Sequence, residues 1–388
     1  MRTIIHSARL IDGGRATDDA WVAFDGALVA GTGQGDTWHP LVDDGDVVVD
    51  AADVAGEGAV LTPGFIDLHG HGGGGASFDD GAEAIRTARA FHLAHGTTRS
   101  VISLVTATLD ALAHRVAVIA DLVDADPGIL GSHLEGPFLD PGHKGAHDPS
   151  LLRDPDPRAV ARLLDAGRGT VRQITLAPEL PGALDAIRAA VALGAVAAVG
   201  HTGADAGGTA AAFDAGATLL THAFNAMPGL HHRLPGPVGA ATADPRVVLE
   251  IIADGVHLDP EVIRIAFAAA PGRIALVTDA MAAAGMDDGR YDLGALAVEV
   301  TDGVARLVHG GAIAGSTLTQ DAALRQAVQA GVPLEDAVTA VTATPARVLG
   351  EVALGALEPD HVADAVLLTR DLDVRAVWLA GARARIAD

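Results

Sequence analysis

Apolar residues in this chain come in two rhythms, and the change falls at Thr62-Pro63-Gly64. Before it, the β-prone pieces Thr3–Leu10, Trp21–Phe24 and Val47–Val49 are separated by Asp-Gly and Gly-Gly turns, and no helical period develops. After it, short apolar runs alternate with longer Ala/Leu/Arg-rich stretches of helical period. The runs are Gly64–Leu68, Thr98–Val105, Ile129–Leu134, Val171–Leu176, Ala195–Val199, Ala217–Leu220, Val247–Ile252 and Ile274–Thr278. Ala82–His95, Asp110–Asp124, Gly182–Leu193 and Asp205–Phe213 lie between some of them. Eight runs with intervening helices predict a parallel (β/α)8 TIM-like barrel. A doubly wound sheet is the structural alternative, but no Gly-x-Gly-x-x-Gly follows a first strand. Beyond Asp279 come a glycine-rich loop, Gly310–Gly315, and two helical stretches, Leu318–Ala330 and Pro333–Val348. The tail His361–Ile386 returns to short β-prone runs. The division expected is a catalytic barrel over 62–352 and a small β-sandwich lobe built from both chain ends, 1–61 plus 353–388.

Composition narrows the class. The chain carries a formal net charge of −24, which argues against a nucleic-acid partner or an anionic membrane surface. An anionic ligand would therefore need a local nest of donors. With no cysteine in the chain, disulfides and thiolate metal sites are excluded. Met1-Arg2-Thr3-Ile4-Ile5 reads as a strand without a signal-peptide core, and no run is long enough to span a membrane, so the expected compartment is cytoplasmic.

The polar residues fall at the ends of the apolar runs. His69 and His71 follow the first, Glu135 the third, His201 the fifth, His222 the sixth and Asp279 the eighth. Taken singly, each has an ordinary reading: a strand-end histidine bonded to backbone, a carboxylate capping the next helix. Their recurrence at one end of successive runs is what independent structural roles would not require. In a parallel barrel these ends share one face. Imidazoles and carboxylates around one cavity suit Zn2+ or a similar divalent ion.

Larger stretches carry a resemblance. Pro63-Gly64-Phe65-Ile66-Asp67-Leu68-His69-Gly70-His71-Gly72, His133-Leu134-Glu135-Gly136-Pro137-Phe138, Lys144-Gly145-Ala146-His147-Asp148-Pro149, Gly200-His201-Thr202, Thr221-His222-Ala223-Phe224-Asn225-Ala226-Met227, Asp254-Gly255-Val256-His257, Val277-Thr278-Asp279-Ala280 and Ile313-Ala314-Gly315-Ser316 stand in order between about residues 60 and 350. Together they resemble the N-acetylglucosamine-6-phosphate deacetylases of the amidohydrolase superfamily. The resemblance implies Glu135, His201 and His222 as principal metal ligands, Asp279 as catalytic acid and base, and His147 as the residue that polarises the acetamide carbonyl. It implies sugar-phosphate contacts from Asn225, the backbone of Ala226, His257 and Ser316. It further implies a homodimer in which Arg233 reaches the neighbouring active site. Members that keep the first His-x-His pair can hold two metals. Here His69 and His71 imply room for a second ion with Glu135 bridging; Zn2+ is expected first, with Fe2+, Co2+ or Mn2+ as the other candidates. Relatives with a carboxylated lysine after the fourth strand are disfavoured, because that run ends Leu176-Ala177-Pro178-Glu179 and the sole lysine, Lys144, follows the third. The activity implied is hydrolysis of N-acetylglucosamine 6-phosphate. An N-acetylgalactosamine 6-phosphate deacetylase, a dipeptidase on the same fold and a non-catalytic sugar-phosphate sensor are the alternatives.

Overall fold

The computed structural model describes residues 1–385; the last three residues, including the end of the expected C-terminal strand region, lie outside the described residues. Eight parallel strands lie side by side in chain order: Phe65–Asp67, Thr97–Leu104, Ile129–Glu135, Val171–Leu176, Val196–Val199, Leu219–Leu220, Val248–Ile251 and Ile274–Leu276. Each matches one of the predicted apolar runs to within two residues at either end. Parallel strands covered by helices bury both faces, which is why they read as continuous apolar runs. Thr97–Leu104 is buried at every position.

The helices between them are amphipathic and locally capped. Leu109–Val123 buries Leu112, Val116, Ile119 and Ala120, a single helical stripe, and the Thr108 side chain caps its start. Pro157–Ala166 and Pro260–Ala269 open with proline behind a capping aspartate, Asp156 and Asp259. The predicted stretch Pro333–Val348 is two helices, Leu334–Val341 and Ala343–Leu349, broken at Thr342 (φ −129°, ψ −84°). Pro345 explains the break: it supplies no N–H to a continuous helix and is tolerated only in a first turn.

The two chain ends share one eight-stranded mixed sheet. Arg2–Asp12 pairs with Arg15–Asp25, Val47–Asp50 and Val60–Pro63, and Val60–Pro63 pairs in turn with Ala365–Leu368 from the far end of the chain. Phe24 and Trp378 meet edge to face in its own core. This sheet is tied to the barrel by a buried, two-pronged ion pair. Arg99 Nε lies 2.5 Å and Nη2 3.1 Å from the two oxygens of Asp364, whose carbonyl accepts from Gly64 N–H at 2.8 Å. A three-stranded antiparallel sheet, Gly289–Leu293, Leu296–Thr301 and Val304–Leu307, was not foreseen from the sequence. It packs Leu293, Val298 and Val300 onto Val105 and Met281 above the C-terminal ends of the barrel strands.

No strand ladder joins the first and eighth barrel strands. The seam is held just past their C-terminal ends instead. Asp279 N–H donates to the His69 carbonyl at 2.8 Å, His71 N–H to the Ala280 carbonyl at 2.7 Å, and Thr278 Oγ1 to Asp67 Oδ2 at 2.6 Å. Burial pushes the Asp67 carboxyl up to about 6, against hydrogen bonds from Thr278 and the His69 N–H that favour its charged form. Thr278→Val removes one of those bonds and is expected to cost about 1–3 kcal/mol. Because the lost bond favours ionised Asp67, the cost should be larger above pH 6 than below it. Denaturant unfolding on both sides of that pH measures the difference, and a pH-independent cost would show that Asp67 is not the partner that matters.

Candidate metal centre

Strand ends, with one loop, bring six expected residues together around one buried carboxylate. Glu135 is the last residue of the third strand. Its Oε1 lies 3.3 Å from His69 Nε2, 3.1 Å from His201 Nε2 and 3.2 Å from His222 Nε2. Its Oε2 lies 3.1 Å from His71 Nε2 and 3.3 Å from His147 Nε2. Asp279 Oδ1 completes the group, 3.4 Å from His71 Nε2 and 3.6 Å from His69 Nε2. Every one of these side chains is buried. All of them but His69 line one end of a cavity of about 430 Å3, whose other walls include Asn225, Ala226, His257 and Ile313.

What each ring donates or accepts follows from the partner of its other nitrogen. His201 Nδ1 is 3.0 Å from the His143 carbonyl, which can only accept. A neutral His201 therefore carries its proton there and turns the Nε2 lone pair towards Glu135. His69 Nδ1 faces the Glu250 carboxylate at 3.1 Å. His147 is the reverse case: the Thr106 N–H donates to its Nδ1 at 3.4 Å. A neutral His147 ring must then hold its proton on Nε2, which points at Glu135 as a donor. The partners behind the rings, two of them backbone groups and one the Glu250 side chain, thus separate two lone-pair donors from one N–H donor.

Burial and charge act in opposite directions here. Burial alone would raise the Glu135 carboxyl, but the field of His69 and hydrogen bonds from His147 and His222 hold it well below the usual carboxylate range. Asp279 is likewise held low, against burial, by His69 and His71. Burial would lower His71, yet the carboxylates of Asp279 and Glu135 lift it to about 9. Burial takes His201 down to about 4, so that ring is neutral near pH 7. A cation fits this donor set. The Nε2 atoms of His201 and His222 face each other at 2.9 Å, and those of His69 and His71 at 3.2 Å, close to shared carboxylate oxygens. Protons can satisfy only some of these contacts, whereas a divalent ion accepts lone pairs from all of them. The buried Nδ1 atoms of His71 and His222 have no partner among the described residues.

The backbone is bent to make this gathering. His201, His222 and Asp279 sit at positive φ, 48°, 29° and 47°, a conformation that is costly for residues other than glycine and that clusters at functional sites. Asp279 is held there from both sides: its N–H bonds to His69, and its carbonyl accepts from Ser316 N–H at 2.7 Å. Gly315 permits this approach, because it has φ +63° and a Cβ there would stand 2.9 Å from the Asp279 carbonyl oxygen.

Not all expected contacts converge on the cavity. Asn225, Ala226 and His257 line it, and Asp254 Oδ2 sits 2.7 Å from His257 Nδ1. Burial opposes the charged form of His257, but the bond and charge of Asp254 raise its pKa. Ser316 does not line the cavity; its hydroxyl donates to the Thr278 carbonyl at 2.5 Å and accepts from Leu318 N–H at 3.0 Å. Its place is behind Asp279. Arg233 is exposed on its loop and does not line this chain's cavity. Sequence reasoning missed His143, Met227 and Leu293, which also line the cavity. The alternation of Leu296–Thr301 and the Asp302-Gly303 turn were the available signal for the sheet that carries Leu293.

Comparison with known proteins supplies the context for this geometry. The Amidohydrolase family model matches residues 60–383. The N-acetylgalactosamine-6-phosphate deacetylase of Escherichia coli O157:H7 is 42% identical over 83% of this chain and 87% of its own length. The N-acetylglucosamine-6-phosphate deacetylase of Bos taurus is 39% identical over 84% of this chain and 83% of its own. The crystal structure of N-acetyl-D-glucosamine-6-phosphate deacetylase from Mycobacterium smegmatis superposes with a TM-score of 0.91 at 42% identity, covering 99% of this chain and all of that one. With the strand-end cluster and these likenesses together, the chain belongs to the amidohydrolase family.

Proposed function

We propose that the chain hydrolyses the N-acetyl group of N-acetylglucosamine 6-phosphate, releasing acetate and glucosamine 6-phosphate. The observation that carries this reading is that a buried Asp279, held low in pKa, and the N–H donor of His147 line one cavity together with His257. The similarity to N-acetylglucosamine-6-phosphate deacetylases over more than four-fifths of the chain supports it.

Glu135, His201 and His222 would hold one divalent ion, with Zn2+ as the first candidate, and His69 and His71 would hold a second beside Glu135. When bound, such an ion supplies Lewis acidity and lowers the pKa of water towards neutrality. Asp279 takes a proton from the attacking water as the water oxygen bonds to the acetyl carbon. His147 Nε2–H donates to the oxyanion that develops on the carbonyl; a donor of this kind is typically worth about 3–4 kcal/mol. Asp279 then passes its proton to the sugar nitrogen as the C–N bond breaks. His257 supplies positive charge to the phosphate, and Asn225 and the backbone of Ala226 contact the sugar phosphate. We place Arg233 in a second copy's phosphate site. Leu230 and Leu234 beside it are 55% and 70% exposed, so a homodimer that covers this loop would bury apolar surface.

Acetate release from a panel of N-acetyl hexosamines, with and without 6-phosphate, tests the reading alongside metal analysis of the purified protein. Turnover should be greatest for the glucosamine phosphate; preference for the galactosamine epimer would reassign the substrate. In the same panel, Arg233→Ala should raise KM for the phosphorylated sugar far more than for the free one, and equal losses would remove Arg233 from the phosphate site. Asp279→Ala should lower kcat by on the order of a hundred- to ten-thousand-fold while metal per chain stays unchanged; near-normal turnover would end its assignment as base. Asp254→Asn keeps the oxygen that accepts from the Val256 and His257 N–H groups but removes the charge that raises His257. His257 would then lose its proton at lower pH, and the rise of KM with pH for the phosphorylated sugar should begin earlier than in the wild type. An unshifted KM profile would separate His257 from phosphate binding.

A further inference from the structure

Glu250 is a carboxylate with no exposed surface, on the seventh barrel strand and inside the barrel. The proposed hydrolysis makes no use of it. A buried carboxylate is costly unless hydrogen bonds satisfy it, so its partners show what it is for. Oε1 accepts from Gln173 Nε2 at 2.9 Å. Oε2 accepts from the His222 backbone N–H at 3.2 Å and faces His69 Nδ1 at 3.1 Å. Both oxygens already accept from groups that can only donate, the backbone N–H and the amide nitrogen. An ionised carboxylate can only accept, so with Glu250 in that form the remaining contact is a donation from His69 Nδ1–H. With that proton committed, the His69 lone pair can form only at Nε2, which is the atom that faces His71 Nε2 and Glu135 Oε1. His71 has no such anchor, because its buried Nδ1 finds no partner among the described residues. Of the two rings in the His-x-His pair, only His69 has its Nδ1 held by a carboxylate.

We propose that Glu250 is a positioning residue that orients His69 and thereby turns the His69–His71 pair into a second metal position beside Glu135. The proposal rests on the reading of Glu135, His201 and His222 as the first metal position. It extends that reading with a residue that touches neither substrate nor ion. It also links the two positions: Glu250 grips the His69 ring with one oxygen and, with the same oxygen, the backbone N–H of His222. Outer partners of metal-binding histidines typically set affinity by 10- to 100-fold.

The test is a calorimetric titration of metal-free protein with Zn2+, with metal per chain counted by mass spectrometry. The wild type should take two ions in two steps. Glu250→Leu, which removes the acceptor, should weaken one step about 10- to 100-fold and the other by less. Glu250→Gln keeps an amide oxygen that can accept from His69 Nδ1, and should recover part of the loss. Should the leucine variant fail to fold, the glutamine variant still has to show the smaller shift. In a His69→Gln background, which should bind a single ion, Glu250→Gln should leave that remaining step unaltered. A wild-type chain that takes only one ion, or a second step that Glu250→Leu leaves unaltered, would overturn the proposal while sparing the first metal position. A wild-type chain that takes no ion would instead remove the metal-centre reading itself.

Discussion

Burial of the Glu135 carboxylate is the constraint around which the rest of the molecule is arranged. An ionised carboxylate out of water is costly unless it is paired, and five imidazoles from four chain segments converge on this one. Each of those imidazoles is buried too and needs its own partner. The demand passes outward to the His143 carbonyl, the Thr106 N–H and Glu250, and from Glu250 to Gln173. The polar layer is thus continuous from the cavity into the barrel interior. Polar networks of this kind specify one arrangement strongly, because a partly satisfied version is worse than an apolar core.

The barrel supplies the rigidity that such a layer needs. Its strands deliver the side chains to one end, and the seam between the first and eighth strands is closed by the same segment that carries Asp279. Closure and catalytic geometry therefore depend on shared hydrogen bonds. The positive φ angles of His201, His222 and Asp279 are tolerated because backbone bonds on either side over-determine them.

Charge is handled locally. A chain with a net charge of −24 repels an anionic ligand at long range, yet the cavity holds His71 lifted to about 9 and His257, whose pKa Asp254 raises. Two carboxylates, Glu135 and Asp279, stay ionised because cationic imidazoles lie within hydrogen-bond reach. The pocket can thus offer both a base and positive charge within one small volume.

Much of this was legible in the order of residues alone. Parallel strands buried on both faces must read as apolar runs, and polar residues that interrupt such runs at one end need a shared reason, so the barrel and Glu135, His201, His222 and Asp279 could be named from spacing. The tertiary structure alone decided which ring nitrogen faces inward. Tautomer depends on partners far apart in sequence, such as Thr106 for His147 and Glu250 for His69. Ser316 lies behind Asp279 and away from the cavity for a reason of the same kind, since its hydroxyl is claimed by a backbone carbonyl 38 residues away. Glu250 itself gave no signal: one charged residue within the run Val247–Ile252 looks like an interruption until the fold sets it against an imidazole 181 positions earlier. Periodicity reports which face of an element is buried, but only packing determines which buried groups meet.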